Sequence, residues 1–268
     1  MSDVIISLKG IHKSYGKKEV LKGVDLDIQK GEIYGLLGKN GSGKSTIFKV
    51  ILGLSDYSSG TLLVGNPGES LAEGRSRIGF LVGNNYFSYA TGRENLAYYA
   101  KMKGIKDPKK EIDRVLELVE LKDVKTKVAG YSLGMHQRLG IANALLGNPE
   151  ILILDEPTNG LDPQGIADVR SLVRRLNREL GTTVIISSHI LGELQNTANK
   201  FAILNNGVIV RVVSEEDLKA DQQTVVLRVS DREKAETVLK ENGISVLESS
   251  IQTRSLENIF FELVGGEE

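Results

Sequence analysis

Residues 38–46, Gly38-Lys39-Asn40-Gly41-Ser42-Gly43-Lys44-Ser45-Thr46, have the residue types and spacing to grip a phosphate chain. They fit the pattern G-x-x-x-x-G-K-S and lie between an apolar run, 33–37, and a segment of helical character. Gly38, Gly41 and Gly43 let the backbone curl so that its N–H groups point inward at phosphate oxygens. The helix start behind them adds about half a positive charge. Lys44 is placed to reach the outer phosphates, and the Ser45 hydroxyl to meet Mg²⁺. A second segment, Ile151-Leu152-Ile153-Leu154-Asp155-Glu156-Pro157, ends an apolar strand in two carboxylates. Asp155 is a candidate Mg²⁺ ligand. Glu156 is a candidate base for an attacking water, a role that contributes about 10²–10⁴-fold in rate. Alone, such carboxylates read equally as a solvated strand end; beside the glycine loop they read as phosphate chemistry.

The elements that must hold these residues follow from the hydrophobic pattern. Short strands with turns open the chain, at 4–8 and 20–28. The phosphate-loop helix covers 44–52, with strands at 61–64 and 78–82. From Gly92 to about Val128 the period is helical; Asp107-Pro108 starts a helix whose apolar face is Ile112, Val115, Leu116 and Val119. A further helix spans 133–146. The run 151–154 reads as a strand buried on both faces of a parallel sheet. Asp162-Pro163 opens a helix with Ile166, Val169, Val173, Leu176 and Leu180 as its buried face. Strands at 183–187, 201–204 and 208–212 follow, the last two as a hairpin around Asn206-Gly207.

Strands alternating with helices predict an α/β fold: a P-loop parallel-sheet core with an N-terminal antiparallel β subdomain. A helical subdomain is expected at about 84–148. The main domain should end near 214. Residues 215–268 should form a small α/β appendage of strand (224–229), helix (232–241), strand (244–247) and helix (256–263).

The chain has 268 residues, a net charge of −1 and no cysteine. The charge balance argues against bulk nucleic-acid binding, so no nucleic acid is expected as a partner. Absent cysteine excludes a disulfide scaffold or a zinc–thiolate site and fits a cytosolic protein. The start lacks the basic-then-apolar design of a signal peptide. No apolar run approaches the ~20 residues of a membrane span. A cytoplasmic location is expected.

With these motifs in order, the chain resembles the ATP-binding cassette (ABC) ATPases over about residues 4–215. Tyr15 matches the aromatic that stacks on adenine, and Gly38–Ser45 the phosphate loop. Tyr131-Ser132-Leu133-Gly134-Met135-His136-Gln137-Arg138 stands at the signature sequence. Asp155-Glu156 follow, then Gly160-Leu161-Asp162 at the D-loop and Ser187-Ser188-His189 at the switch histidine. The resemblance implies ATP and Mg²⁺ as ligands, with Lys44, Glu156 and His189 catalytic. Asn40, Ser42, Thr46 and their loop neighbours would bind nucleotide, and Ser45 and Asp155 would hold the metal. Ser132, Gly134 and Asp162 would act across a head-to-tail dimer, on the nucleotide held by a second copy or a paralogue. Ser132 and Asp162 also fit plain helix-capping roles. An integral membrane permease is implied as partner, with the chain peripheral on the cytoplasmic face.

Leu133 and Met135 replace a glycine and a glutamine of the usual signature, a variant similar to the bacitracin- and lantibiotic-type exporter branch. Where the family has a glutamine or glutamate that touches Mg²⁺ and the permease, this chain has Gly83, then Asn84 and Asn85. Tyr86, Phe87, Tyr89, Tyr98 and Tyr99 crowd a short stretch, as either a packed core or a groove for a permease helix. The leading expectation is an ATP-hydrolysing subunit powering export of a peptide, antibiotic or drug-like cargo. A weakly hydrolysing ATP-dependent regulator and a soluble ATPase acting on nucleic acid or ribosomes are the alternatives.

Overall fold

The computed structural model describes residues 4–81, 83, 86–220, 229–244 and 246. Its first twelve-residue strand, β1 (Val4–Tyr15), turns through Gly16-Lys17 into β2 (Lys18–Gln29). Both run further than their apolar patterns predict. β1 is bulged where Gly10 adopts φ 58°, so the alternation breaks there while the pairing continues. With β4 (Ser59–Val64) they form an antiparallel sheet in the order β2-β1-β4.

The second sheet carries the chemistry. Its order is β5-β6-β7-β3-β8-β9, from β5 (Ile78–Leu81), β6 (Ile151–Leu154), β7 (Thr183–Ser188), β3 (Ile33–Leu37), β8 (Lys200–Asn205) and β9 (Val208–Ser214). The first five are parallel; β9 returns antiparallel to β8. β6 and β7 are buried along their whole length. Their residues alternate between two cores, as the period of two demands. Leu152, Leu154, Val184 and Ile186 face the helical side, while Ile151, Ile153 and Ile185 face the antiparallel sheet and α1 (Lys44–Leu52).

Helices α3 (Gly92–Met102), α4 (Pro108–Leu118) and α5 (Leu133–Leu145) occupy the stretch between β5 and β6. Ile112, Val115, Leu116 and Val119 are buried as the pattern predicts. Three short helices escape the sequence reading: α2 (Leu71–Ser76), α7 (Leu191–Gln195) and α8 (Glu215–Ala220). In α6 (Pro163–Leu180) the buried face is Val169, Leu172, Val173 and Leu176. Leu180, expected on that face, is instead 48% exposed, because the helix ends there at Gly181 in the left-handed region.

The chain divides into two compact units after Ala220, rather than after Ser214. The reason is α8 (Glu215–Ala220), which continues directly from β9: Glu215 N donates to Asn199 O, and Ser214 N and Oγ donate to Asp217. In the second unit, α9 (Arg232–Glu241) forms as predicted, capped by Asp231. The other elements expected there, and the expected role of Asn84, lie outside the described residues, apart from Val229, Ile244 and Val246. No helix among the described residues is long and apolar enough to cross a membrane.

Candidate active site

The strand order puts the chemistry in one place. β6, β7 and β3 are neighbours and parallel, so Asp155, His189 and Gly38 all leave the sheet at its carboxyl edge. That edge is where open parallel sheets bind ligands.

Gly38 to Gly43 bridge β3 and α1. Gly43, the residue before the helix, has φ 116°, and Gly41 has φ 79°. L side chains rarely adopt either. Gly38 is needed for a different reason. A Cβ there would stand 2.5 Å from Ser42 Oγ and 2.6 Å from the Leu204 carbonyl oxygen. Gly38→Ala should therefore displace the loop, with an expected loss of about 1–3 kcal/mol in urea unfolding and a raised KM for ATP. Ser42 Oγ is buried and has no hydrogen-bond partner among the described residues. Asn40 and Ser45 are exposed.

Lys44 is only 4% exposed. Its Nζ donates to the Gly38 carbonyl at 2.6 Å and the Lys39 carbonyl at 3.2 Å, and pairs with Glu156 Oε1 at 3.1 Å. Glu156 Oε2 lies 3.3 Å from His189 Nδ1. The three residues expected to be catalytic thus form one chain, lysine to carboxylate to imidazole. Asp155 joins it through Ser187, a residue that the sequence reading quoted but gave no role. Ser187 Oγ donates to Asp155 Oδ1 at 2.7 Å and accepts from Glu156 N at 2.9 Å. Glu156 has φ 48°, in the left-handed region that non-glycine residues avoid. The strain turns the chain sharply after Asp155, so adjacent carboxylates diverge, one to Ser187 and the other to Lys44 and His189.

Ser132, Gly134 and Asp162 lie elsewhere, at the starts of α5 and α6. Ser132 Oγ accepts from Met135 N at 3.3 Å, and Asp162 Oδ1 from Gly165 N at 2.9 Å. Among the described residues, no hydrogen bond joins either to the phosphate loop of the same chain. The two segments touch each other instead: a Cβ on Gly160 would meet Leu133 Cδ2 at 2.9 Å. Leu133 itself is exposed.

Tyr15 presents a half-exposed ring at the end of β1, with Lys13 Nζ 4.9 Å from its centre. The Ser55 hydroxyl, 3.3 Å from its own, holds its phenol below the ordinary value and ties the ring to the turn that follows α1. Gly83 has φ 76°, and among the described residues nothing lies within 4 Å of where its Cβ would stand. The aromatic stretch is part buried and part exposed. Tyr86 and Tyr99 pack on the core, and burial pushes the Tyr86 phenol up. Phe87, Tyr89 and Tyr98 form a group at the surface, with Phe87–Tyr98 edge to face at 5.0 Å between ring centres and Phe87–Tyr89 tilted at 5.8 Å. Tyr89 is 71% exposed.

A parallel sheet with a phosphate loop, an Asp-Glu pair and a strand-end histidine at one edge defines a P-loop nucleotide hydrolase. The sequence model of the ABC transporter family matches residues 21–159. The bacitracin transport ATP-binding protein BcrA of Bacillus licheniformis is 35% identical, over 98% of each chain. An uncharacterized ABC transporter ATP-binding protein of Bacillus subtilis, YhcH, is 36% identical over 97% of this chain and 96% of its own. Among solved structures, the dimeric ABC transporter cassette MJ0796 is 28% identical with a TM-score of 0.69, covering 78% of this chain and 98% of that one. The same cassette is also known in a dimeric post-hydrolysis state bound to ADP and Pi, at a TM-score of 0.68. The chain belongs to the ABC transporter family as an ATP-binding ATPase subunit.

Proposed function

We propose that this chain hydrolyses Mg·ATP to power export of a peptide, antibiotic or similar drug-like cargo through a separate membrane permease. The single observation that carries the ATPase reading is the contact chain Lys44–Glu156–His189 beside the phosphate loop. Lys44 offers a buried cation to the outer phosphates. Glu156 accepts the proton of the attacking water, and His189 orients that carboxylate and the γ-phosphate. Tyr15 stacks on the adenine. The cargo class is supported by BcrA and by a Streptococcus pyogenes lantibiotic transport protein, SrtF, 38% identical.

Mg²⁺ fits the donors present. Ser45 and Asp155 supply oxygen, the ligand a hard cation prefers. Ser187 fixes Asp155 Oδ1, and Oδ2 would be the oxygen offered to the metal. No cluster of three metal-binding side chains occurs among the described residues, which suits an ion that takes its remaining ligands from phosphate and water. When bound, the ion neutralises phosphate charge.

Ser132, Gly134 and Asp162 complete the site of a second copy, arranged head to tail. The exposed position of the signature, away from its own phosphate loop, supports this reading. The surface group Phe87, Tyr89 and Tyr98 is the proposed seat for a permease helix, since aromatics are enriched at such contacts. The proposed location is the cytoplasmic face of the membrane. Phosphate release from ATP tests the reading. Turnover with Mg²⁺ that disappears with EDTA is expected; turnover indifferent to EDTA would refute the metal role.

A further inference from the structure

Hydrogen bonding continues one layer beyond the reacting groups. Thr158 lies two residues past Glu156, and Ser188 immediately precedes His189. Thr158 Oγ1 donates to Glu193 Oε2 at 2.6 Å, and Ser188 Oγ donates to the same oxygen at 2.8 Å. Ser188 Oγ in turn accepts from Ile190 N at 3.0 Å. Both hydroxyl residues are buried, Thr158 at 7% and Ser188 at 3% exposure. Glu193 is held from behind, where Thr197 Oγ1 donates to its carbonyl at 2.7 Å.

We propose that Glu193 is a positioning residue whose carboxyl oxygen clamps the turn after Glu156 to the turn that carries His189. This rests on the ATPase reading above. Glu156 and His189 meet at 3.3 Å, yet they sit on separate turns, one following β6 and the other β7. A cavity of about 90 Å³ lies beside them, lined by Glu156, Thr158, His189 and Glu193 among others. Packing is therefore incomplete where the alignment of base and imidazole must be kept. The three-bond relay Ile190 N–H, Ser188 O–H and Thr158 O–H, ending on one oxygen, supplies the missing constraint. Linked hydrogen bonds in a low-dielectric setting strengthen one another. A misplacement of about 1 Å at a reacting pair can cost about a hundredfold in rate. Removing the shared acceptor leaves the Thr158 and Ser188 O–H donors without their acceptor and frees the turns to separate.

The test compares Glu193→Ala with Glu193→Gln, and Thr158→Val with Thr158→Ser, in the full chain. The reading is kcat against KM for Mg·ATP, with thermal unfolding as a check on folding. Glu193→Ala and Thr158→Val should lower kcat about 10- to 100-fold and leave KM unchanged. Glu193→Gln retains an oxygen with two lone pairs and should restore most of the turnover, as should Thr158→Ser. The clamp is overturned if the Ala and Val variants turn over within about twofold of wild type, or if they raise KM with kcat intact. It is equally overturned if Glu193→Gln is as slow as Glu193→Ala. Should Glu193→Ala not fold, the Thr158 pair decides alone. Wild-type protein that releases no phosphate would instead contradict the ATPase reading, a result distinct from active wild type with unaffected variants.

Discussion

Glu156→Gln should reduce ATP turnover by about 10²–10⁴-fold while ATP binding survives. The substitution keeps the shape of the side chain and its φ 48° backbone, and removes only the capacity to take a proton. It also uncharges the partner of Lys44 at 3.1 Å and of His189 at 3.3 Å. Loss of that negative charge beside the phosphate subsite should tighten binding of the triphosphate. Single-turnover phosphate release and equilibrium binding of a fluorescent ATP analogue separate the two effects. A variant that still hydrolyses within tenfold of wild type would remove Glu156 from the role of base.

Lys44→Ala should fail one step earlier, at binding. The ammonium is 4% exposed and is the cation aimed into the phosphate loop. Its removal costs the charge attraction to two phosphates and takes the Lys44 donor from the Gly38 carbonyl and from Glu156 Oε1; the Lys39 carbonyl keeps Ser42 N–H at 3.1 Å. Leaving buried groups unpaired costs about 1–3 kcal/mol each, so stability should fall as well. Glu156 is a fifth exposed, and water will moderate its share. The expected result is a rise of at least about 100-fold in the ATP concentration needed for half-saturation, or about 2.7 kcal/mol of binding. Lys44→Arg should not rescue it, because a planar guanidinium does not fit a site built around a point charge. Equilibrium titration by fluorescence or calorimetry checks this; unchanged affinity would mean the phosphates bind elsewhere.

Much of this site can be read from the sequence because its parts are local. The phosphate loop is one continuous segment, and Asp155, Glu156 and His189 mark the ends of buried strands whose apolar runs are unbroken. Parallel neighbours then bring those ends together without further information. The residues that escape prediction act at long range. Ser187 reads as one more buried strand residue; only the pairing of β6 with β7 shows that it joins the Asp155 carboxylate to the Glu156 backbone N–H. Thr158 and Glu193 look like ordinary polar residues until the fold closes 35 residues of chain between them.

Other misses are local but unusual. Helix α2 is six residues long and contains Gly74, so its periodicity is weak. Its capping box, Ser70 with Glu73, was the readable signal. The extension of β1 beyond Leu8 is hidden by the bulge at Gly10. The exposed Leu180 follows from Gly181, since a residue on the last turn has no neighbour above it to cover it.

The central claim is that one copy's phosphate loop and another copy's signature build each site. Mixing two inactive proteins, Lys44→Ala and Ser132→Arg, tests it most directly. In a head-to-tail pair of unlike chains, one composite site carries an intact Lys44 and an intact Ser132. Random pairing in an equal mixture should then recover about a quarter of wild-type phosphate release. If the mixture stays as silent as its two components, while wild type is active, each site is built within a single chain and the account is wrong.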